Sequence, residues 1–211
     1  MIQTLLDFSA SLGIARNQGK RGSCLAFAAS DLNQHINKRL AALSVEYLSH
    51  HAVKLINGWK AGDGLNINSV ISPMATPGQP DEAQYPYQEQ NPGFPLTQPP
   101  PLIPLFTTIC QTRSLNFSQI ENTVKDGRAV CLVVAVSDTF YHPVQGIVAY
   151  SKNYVPNALH ALLAVGIGKH TTTDETHILV RNSWGDRWGN NGHAWLPKTY
   201  FDTHLFDSFA T

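Results

Sequence analysis

Proline is concentrated in one stretch of this chain, and that stretch limits what the chain can fold into. Nine of the 13 prolines fall between residues 77 and 104. Proline fixes its backbone φ angle and lacks an amide hydrogen, so the stretch cannot be a regular helix or a central β-strand. It could be a flexible linker. Apolar anchors within or beside it favour an ordered, extended crossing between two lobes: Tyr85, Tyr87, Phe94, Leu102 and Phe106.

The residues before this stretch carry helical patterns. Apolar residues recur at spacings of mostly three and four from Cys24 to Ile36, which predicts a first helix beginning at Cys24. Ser44 is expected to cap a second helix that stops at Asn57–Gly58. A third, short helix is predicted over residues 68–74.

The residues after the stretch change to β-branched and apolar runs. One short helix is predicted first, with Ser118 as N-cap and Gly127 as its stop. Strands are then predicted at five runs that Gly and Asn separate: Ala129–Val136, Gly146–Tyr150, His160–Ile167, His177–Arg181 and His193–Leu196. Helices followed by an antiparallel sheet or small barrel make an α+β arrangement.

Composition excludes several classes of function. The formal net charge is +0, whereas proteins that bind nucleic acid through phosphate contacts normally have a basic excess. No apolar run approaches the ~18 residues that a membrane helix needs. The three cysteines do not suggest a disulfide framework, and residues 1–11 lack the pattern of a signal peptide. We therefore expect a cytoplasmic protein, with delivery by a signal-independent secretion route as the alternative.

Cys24 is the leading candidate for chemistry. A cysteine at the start of a helix lies beside unpaired backbone N–H groups and the positive end of the helix dipole, which favour the thiolate. A buried structural cysteine can occupy the same position, so location alone leaves both interpretations open. Gly19 and Gly22 permit a tight turn before the helix. That turn lets the Gln18 amide fold back beside the Cys24 N–H, and two such donors can form an oxyanion hole.

Three blocks of the sequence resemble the papain family of cysteine peptidases. Residues Gln18–Phe27 match the nucleophile pattern Gln-Gly-x-x-Gly-Ser-Cys-Trp-Ala-Phe, with Leu25 in place of the tryptophan. Residues Arg181–His193 are similar to the Asn-Ser-Trp-Gly-x-x-Trp-Gly-x-x-Gly segment, and residues Leu159–Gly168 to the catalytic histidine strand. The blocks occur in the family's order along nearly the whole chain. The pattern is more similar to the bacterial branch than to the lysosomal branch.

The resemblance implies a two-lobe fold with the active site in the cleft between the lobes. We expect a helical lobe over about residues 12–105 and a β-rich, barrel-like lobe over about residues 106–211, within one peptidase domain. No cofactor is implied. The histidines lack the spacing of a zinc site, so no metal is expected either.

The resemblance also implies the catalytic roles. Cys24 would be the nucleophile, and His160 would hold its thiolate as an ion pair and later donate a proton to the leaving amine. Asn182 would accept a hydrogen bond from the second ring nitrogen of His160 and orient the ring. Gln18 would complete the oxyanion hole.

Four residues are expected to form the substrate site: Gly64, Ser23, Leu159 and Trp184. Gly64 resembles the family's glycine on the cleft wall, where bare backbone pairs with an extended peptide. Trp184 would also cover the bond between His160 and Asn182. The pocket for the second residue before the cut is expected to involve Met74, Ala158 and Leu205.

Two further positions depart from the family pattern, in addition to Leu25. Secreted members carry a disulfide cysteine three residues before the nucleophile, where this chain has Arg21. Lys20 and Arg21 are expected to be a solvated charge pair. Leu159 replaces the usual Asp or Asn before His160, and we expect these apolar surroundings to lower the histidine pKa and weaken the ion pair.

The resemblance favours a peptidase, with endopeptidase activity as the first expectation. The alternatives are a papain-fold acyltransferase, an effector or toxin with a specialised protein substrate, and a non-catalytic peptide-binding protein. The expected partner is a peptide or protein substrate, and a protein inhibitor or regulator is a further candidate. A nucleic-acid-binding or membrane protein has no support from charge or motif.

Overall fold

The computed structural model describes residues 1–91, 98–112 and 114–211. Phe94, one of the predicted anchors of the proline-rich crossing, lies outside the described residues. The helices are α1 (Cys24–Ile36), α2 (Val45–Val53), α3 (Ile67–Ala75), α4 (Phe117–Lys125) and α5 (Lys198–His204). The strands are β1 (Ile2–Asp7), β2 (Gln111–Thr112), β3 (Val130–Ser137), β4 (Tyr154–His170), β5 (Thr176–Arg181), β6 (His193–Pro197) and β7 (Leu205–Ala210).

Seven antiparallel strands form one sheet in the described part of the chain. Their order is β2-β7-β3-β4-β5-β6, and β1 pairs with β4. Strand β4 has 17 residues, and it pairs with β3 along its first part and with β5 and β1 along its last part. Along the chain, helices α1 to α3 lie between β1 and the other strands of the sheet. The predicted α+β arrangement is confirmed.

The sheet is buried on both faces, which explains the unbroken apolar runs of its central strands. Cys131 and Leu163 lie on the face that packs against α1, α2 and α3. Their neighbours Leu132 and Leu162 lie on the opposite face, against α4 and α5. Burying one leucine stabilises the fold by about 1.5–3 kcal/mol. Successive residues of each strand therefore hold helices against both faces of the sheet.

The predicted starts of the first two helices are confirmed. Helix α1 begins at Cys24. Ser44 caps α2, because its hydroxyl oxygen accepts a hydrogen bond of 3.0 Å from the Tyr47 N–H. Helix α2 ends at Val53, ahead of the predicted stop at Asn57–Gly58. None of the helices in the described ranges is long and apolar enough to cross a membrane.

Two later helices are capped by asparagines that the sequence patterns did not single out. Ser118 does not cap α4. Instead, the Asn116 side chain accepts a hydrogen bond of 3.0 Å from the Gln119 N–H, and the Gln119 side chain accepts one of 3.0 Å from the Asn116 N–H. Asn66 and Ser69 form the same reciprocal capping box before α3. A box satisfies two free N–H groups at once, whereas one serine would satisfy a single group.

The predicted strand over Gly146–Tyr150 is wrong. Val144 and Ile147 exchange backbone hydrogen bonds of 2.9 and 3.0 Å across a tight turn. At its centre, Gln145 and Gly146 have φ angles of 52° and 74°, and a turn with two positive φ angles is the kind that closes hairpins. Ile147 makes only an isolated bridge to β6.

The described part of the proline-rich stretch is fastened to the helices. Gln79 and Phe106 exchange backbone hydrogen bonds of 2.9 and 2.8 Å. The Ser44 N–H donates to the Pro80 carbonyl at 2.9 Å. The described ends of the stretch are therefore held in place, and Tyr87 lies against the loop that precedes Cys24. An extended crossing between two lobes stays a prediction.

Candidate active site

Cys24 is the first residue of α1, and its side chain is partly exposed. The turn before the helix packs closely on a neighbouring loop. A Cβ atom at Gly22 would lie 2.9 Å from the Asp63 carbonyl oxygen and 3.2 Å from that of Gly62. Glycine is therefore required for the close approach at position 22, and this approach sets Cys24 beside the segment that holds Gly64.

His160 lies on β4 and donates to Asn182, which follows β5. The His160 Nε2 and the Asn182 Oδ1 are 2.6 Å apart. The same Oδ1 accepts a hydrogen bond of 2.7 Å from the Ser183 N–H. Because a backbone N–H can only donate, the atom facing both groups must be the oxygen. His160 therefore carries its proton on Nε2, and Nδ1 is the nitrogen left for proton transfer.

Aromatic rings enclose the His160–Asn182 pair. The Trp184 ring lies over the His160 ring, with 4.6 Å between centroids, and Phe140 contacts His160 at 5.9 Å. Tyr141 stacks on the outer side of Trp184 at 5.5 Å with a 14° interplanar angle. The predicted cover by Trp184 is therefore present, and Phe140 and Tyr141 are contributors that sequence reasoning missed.

Gln18 is buried and its amide is held at both ends. Its Nε2 donates to the Arg21 carbonyl at 2.7 Å, and its Oε1 accepts from the Ser183 hydroxyl at 2.6 Å. A carbonyl can only accept, so the nitrogen must face Arg21. An amide nitrogen has two hydrogens, and the second one is available for an oxyanion.

The two motif segments are joined by backbone hydrogen bonds. The Gln18 N–H donates to the Ser183 carbonyl at 2.8 Å, and the Gly185 N–H donates to the Arg16 carbonyl at 3.1 Å. Between these bonds, Asn17 and Trp184 form an antiparallel bridge. Gln18 and the residues that orient His160 consequently belong to one rigid unit.

Burial opposes both charges of the predicted ion pair. Burial raises the pKa of the Cys24 thiol by more than the backbone N–H groups of Ala161, Leu25 and Cys24 itself lower it. Burial also lowers the pKa of His160 to about 4, although the hydrogen bond to Asn182 favours the protonated ring. Each charge is thus unfavourable alone, and the ion pair depends on the attraction between thiolate and imidazolium.

The predicted direction of the His160 shift is correct, but its predicted cause is not. Leu159 is 48% exposed, so it does not desolvate the neighbouring histidine. The rings of Trp184 and Phe140 do so instead, because they cover the imidazole directly.

Cys24 and His160 line one cleft with a volume of about 740 Å³. Gly64 and Leu159 line it as well, and their contact with a substrate stays a prediction. The remaining walls come from both halves of the chain: Gly22, Leu25, Leu65, Asn66, Ile67, Asn68, Thr112, Val133, Ala161, Phe206 and Asp207.

Other expected cleft residues lie elsewhere. The Ser23 side chain is buried and shares a hydrogen bond of 2.7 Å with the Tyr87 hydroxyl. Trp184 covers the His160 ring but is not among the described residues of the cleft wall. Met74 is fully buried in the core, and neither Ala158 nor Leu205 lines the cleft.

The expectation of a solvated Lys20–Arg21 pair is wrong for Arg21. Arg21 is only 6% exposed, and its guanidinium pairs with Glu46 at 2.5 Å. A charge in a polar loop gives no sign of its partner when that partner is 25 residues away. Among the described residues, no group of three or more His, Cys, Asp or Glu could hold a metal ion.

A sequence profile of the papain family cysteine proteases matches residues 7–204. This chain belongs to the papain family. The resemblance carried by the three motif blocks is confirmed, and the match extends over nearly the whole chain.

Papain-family relatives match at moderate identity. Cathepsin K of Mus musculus is 27% identical over 194 residues, which cover 87% of this chain and 55% of that protein. Zingipain-2 of Zingiber officinale is 28% identical over 188 residues, which cover 84% of this chain and 79% of that protein. The chain spans about half the length of several curated relatives that it matches.

Solved structures show the same two-lobe architecture. Xylellain, a cysteine protease from Xylella fastidiosa, has a TM-score of 0.79 at 18% identity, over 100% of this chain and 86% of that one. The Carica candamarcensis cysteine protease CMS1MS2, solved in complex with E-64, has a TM-score of 0.73 at 22% identity, over 96% and 94%. These similarities confirm the predicted papain-like fold. The bacterial branch and the lobe boundary near residue 105 stay predictions.

Proposed function

We propose that this chain is a cysteine peptidase that hydrolyses peptide bonds through a thioester on Cys24. The observation that carries the proposal is the 2.6 Å bond from His160 Nε2 to Asn182 Oδ1. It holds the ring so that Nδ1, the basic nitrogen, is left for the thiol in the same cleft. A nucleophile, a base and an orienting acceptor are the three parts that acyl transfer by a triad requires.

Acylation follows from this arrangement. The Cys24 proton passes to His160 Nδ1, and the sulfur bonds to the substrate carbonyl carbon while the C=O π electrons move to the oxygen. The Cys24 N–H and the second Gln18 Nε2–H would donate to that oxygen. Collapse breaks the C–N bond, and the amine leaves with the proton from Nδ1. Cys24 then carries the acyl group as a thioester.

Deacylation uses the same groups in reverse. A water molecule gives one proton to His160 Nδ1 while its oxygen bonds to the thioester carbon. The C–S bond breaks, the carboxylic acid leaves, and the thiol is restored when Nδ1 returns its proton. If an amine replaced water in this step, the product would be a transferred acyl group rather than an acid.

The first experiment compares the wild type with Cys24→Ala, Gln18→Ala and Asn182→Ala on a fluorogenic peptide library under reducing conditions. We expect Cys24→Ala to abolish cleavage. Removing one oxyanion donor lowers kcat by about 10²–10³-fold in comparable enzymes, so Gln18→Ala should fall in that range. E-64 should block the wild type by alkylating Cys24.

Endopeptidase activity is the finer part of the proposal. It is supported by a cleft with walls from both halves of the chain, between Gly64 and Leu159. Internally quenched peptides with both ends blocked should be cut at an interior bond. Cleavage of free-ended peptides alone would contradict endopeptidase activity without contradicting the peptidase.

The remaining outcomes separate the alternatives. Product in which an added amine takes the acyl group in preference to water would favour an acyltransferase. Labelling of Cys24 without cleavage of any library peptide would favour an effector with a specialised protein substrate. Neither labelling nor cleavage would contradict the proposed chemistry and favour a peptide-binding protein. The cytoplasmic location and the protein inhibitor or regulator stay predictions.

A further inference from the structure

Arg21 and Glu46 form a buried ion pair three residues before the nucleophile. They are 6% and 7% exposed. Arg21 Nη1 lies 2.5 Å from Glu46 Oε2, and Nη2 donates to Oε1 at 3.4 Å, so the guanidinium meets both carboxylate oxygens. Two buried charges of this kind are stable only when each supplies the other's missing solvation. Their geometry is therefore tightly specified.

The ion pair also fixes the part of the proline-rich stretch around Gln88. Arg21 Nη1 donates to the Gln88 carbonyl, and the Gln88 N–H donates to Glu46 Oε2 at 3.1 Å. The Arg21 guanidinium lies over the Tyr87 ring, 4.8 Å from its centroid. The Tyr87 hydroxyl in turn donates to the Gln18 carbonyl at 2.9 Å.

These contacts converge on the oxyanion donor. The Arg21 carbonyl accepts the hydrogen bond from Gln18 Nε2 at 2.7 Å. Ser183 holds the other end of the same amide, at Oε1. Since the Arg21 side chain is anchored to Glu46, its main-chain carbonyl is anchored too, and the direction of the remaining Gln18 N–H depends on that carbonyl.

We infer that the Arg21–Glu46 ion pair is a positioning unit for the oxyanion hole. It fixes the Arg21 main chain, and through the Arg21 carbonyl it orients the Gln18 amide toward the reacting oxygen. Arg21 itself stands at the position where, by the family resemblance, secreted members carry a disulfide cysteine. The inference rests on the proposed function, because it assigns a role within the same reaction. Arg21 and Glu46 act through Gln18 and touch no substrate.

The test variant is Glu46→Gln, which keeps the side-chain shape and removes the charge. Two reagents distinguish binding in the oxyanion hole from the reactivity of the thiol. A peptide aldehyde reacts with Cys24 by forming a C–S bond, and the former carbonyl oxygen takes the thiol proton while it occupies the oxyanion hole. Iodoacetamide instead reacts at its methylene carbon, where the thiolate forms a C–S bond as the C–I bond breaks and iodide leaves, so no carbonyl oxygen changes its bonding. We expect Glu46→Gln to weaken aldehyde binding and lower kcat by about tenfold or more, with KM nearly unchanged. The alkylation rate should change by less than about threefold.

A double-variant cycle adds the decisive comparison. If the pair acts through Gln18, then Gln18→Ala/Glu46→Gln should lose no more activity than Gln18→Ala alone. Arg21→Lys, which retains the charge but not the two-point contact, should lose less activity than Glu46→Gln. Asp81→Asn is the matched control, because it removes the analogous Arg39–Asp81 ion pair outside the cleft. It should leave aldehyde affinity unchanged.

Three results would overturn the inference. These are unchanged aldehyde affinity in Glu46→Gln, losses that multiply in the double variant, and an equal fall of aldehyde binding and alkylation. Thermal unfolding and circular dichroism of each variant identify any that fail to fold. If Glu46→Gln does not fold, the same three measurements are made on the double variant Arg21→Met/Glu46→Leu, which buries no charge. Failure of the proposed function is distinct, since the wild type itself would then neither cut peptides nor bind the aldehyde.

Discussion

His160 is buried against aromatic rings, so its protonation depends on whether a thiolate lies beside it. Burial lowers its pKa to about 4, and only attraction to the Cys24 thiolate can bring the imidazolium back at neutral pH. Removing the Cys24 sulfur therefore separates the effect of burial on the His160 pKa from the effect of the thiolate.

In Cys24→Ala we expect His160 to titrate near pH 4, as followed by the NMR shifts of its ring protons. In the wild type the pair should titrate as a coupled unit, with the imidazolium persisting to higher pH. A folded pKa below the unfolded value of 6.5 means that the unfolded chain binds the proton better. Stability of Cys24→Ala should therefore fall as the pH drops from 6.5 toward 4. Titration near 6.5 in Cys24→Ala would contradict this account, and His160→Gln assigns the signal.

Asp207 gives the cleft a fixed negative charge. Apart from Cys24 and His160, it is the only ionisable residue among the described residues of the cleft wall. Its Oδ1 accepts hydrogen bonds from the Ser208 N–H at 2.8 Å and from the Ser114 hydroxyl at 3.2 Å. These bonds fix the carboxylate in place, so a substrate with a basic side chain should be favoured there.

We expect Asp207→Asn to lower kcat/KM for peptides with Lys or Arg in this pocket by about fivefold, the equivalent of about 1 kcal/mol for a partly exposed ion pair. Peptides with leucine there should be cut at an unchanged rate. Asp202→Asn, a similar change on α5 outside the cleft, serves as the control. An equal effect on basic and apolar peptides would show that the charge does not select substrates.

Residues were predictable from sequence where chemistry restricts their identity, and not where only the fold brings partners together. Cys24, His160 and Asn182 stand in motifs whose order and spacing are restrictive, and the structure brings His160 and Asn182 into contact. Arg21 gave no such sign, because Glu46 meets it only after α2 packs beside the nucleophile loop. Asp207 lies on β7, a strand that the periodicity did not reveal.

At the scale of elements, β1 depends on the glycines of its partner strand. Gly166 on β4 lies beneath β1, and a Cβ atom there would be 2.6 Å from the Leu6 carbonyl oxygen. Such a distance cannot be tolerated, so alanine would force the two strands apart. Strand β1 escaped the sequence analysis because its residues are mostly exposed and follow no strict alternation.

We expect Gly166→Ala to lower the free energy of unfolding by about 1–3 kcal/mol, measured by urea denaturation. Gly64→Ala is the control, because a Cβ atom at that glycine meets nothing within 4 Å. Its stability should stay within about 1 kcal/mol of the wild type. Equal stability of Gly166→Ala and the wild type would mean that β1 can shift without loss.

At the scale of the whole molecule, one buried carboxylate joins the two halves of the chain. Asp31 on α1 pairs with Arg181 on β5 at 2.8 Å and with Arg16 at 2.7 Å. Arg181 also donates to the carbonyls of Gly13 and Ile14, each at 2.8 Å. Three parts of the chain therefore meet at this single charge: helix α1 with Cys24, the N-terminal loop and the strand before Asn182.

Replacing Asp31 with asparagine should leave Arg181 without a counter-charge, whereas Arg16 keeps its second partner, Glu82, at 3.3 Å. Loss of one partner from a buried ion cluster costs about 3–5 kcal/mol, and we expect a fall of that size in urea denaturation. Because Arg181 directly precedes Asn182, kcat should fall together with stability. Asp174→Asn, which removes the exposed pair with Lys169, should change stability by less than about 1 kcal/mol.

The pH dependence of unfolding provides the sharper test of the same cluster. Burial alone would raise the pKa of Asp31, but the Arg181 and Arg16 guanidiniums outweigh it and hold the pKa below 3.8. A lowered carboxyl pKa stabilises the folded state above the unfolded pKa and loses that contribution as the pH falls through the folded one. The stability gap between wild type and Asp31→Asn should thus stay constant from neutral pH down to about 4 and narrow only below it. A gap that closes already near pH 6 would mean that histidines, rather than this carboxylate, join the two halves.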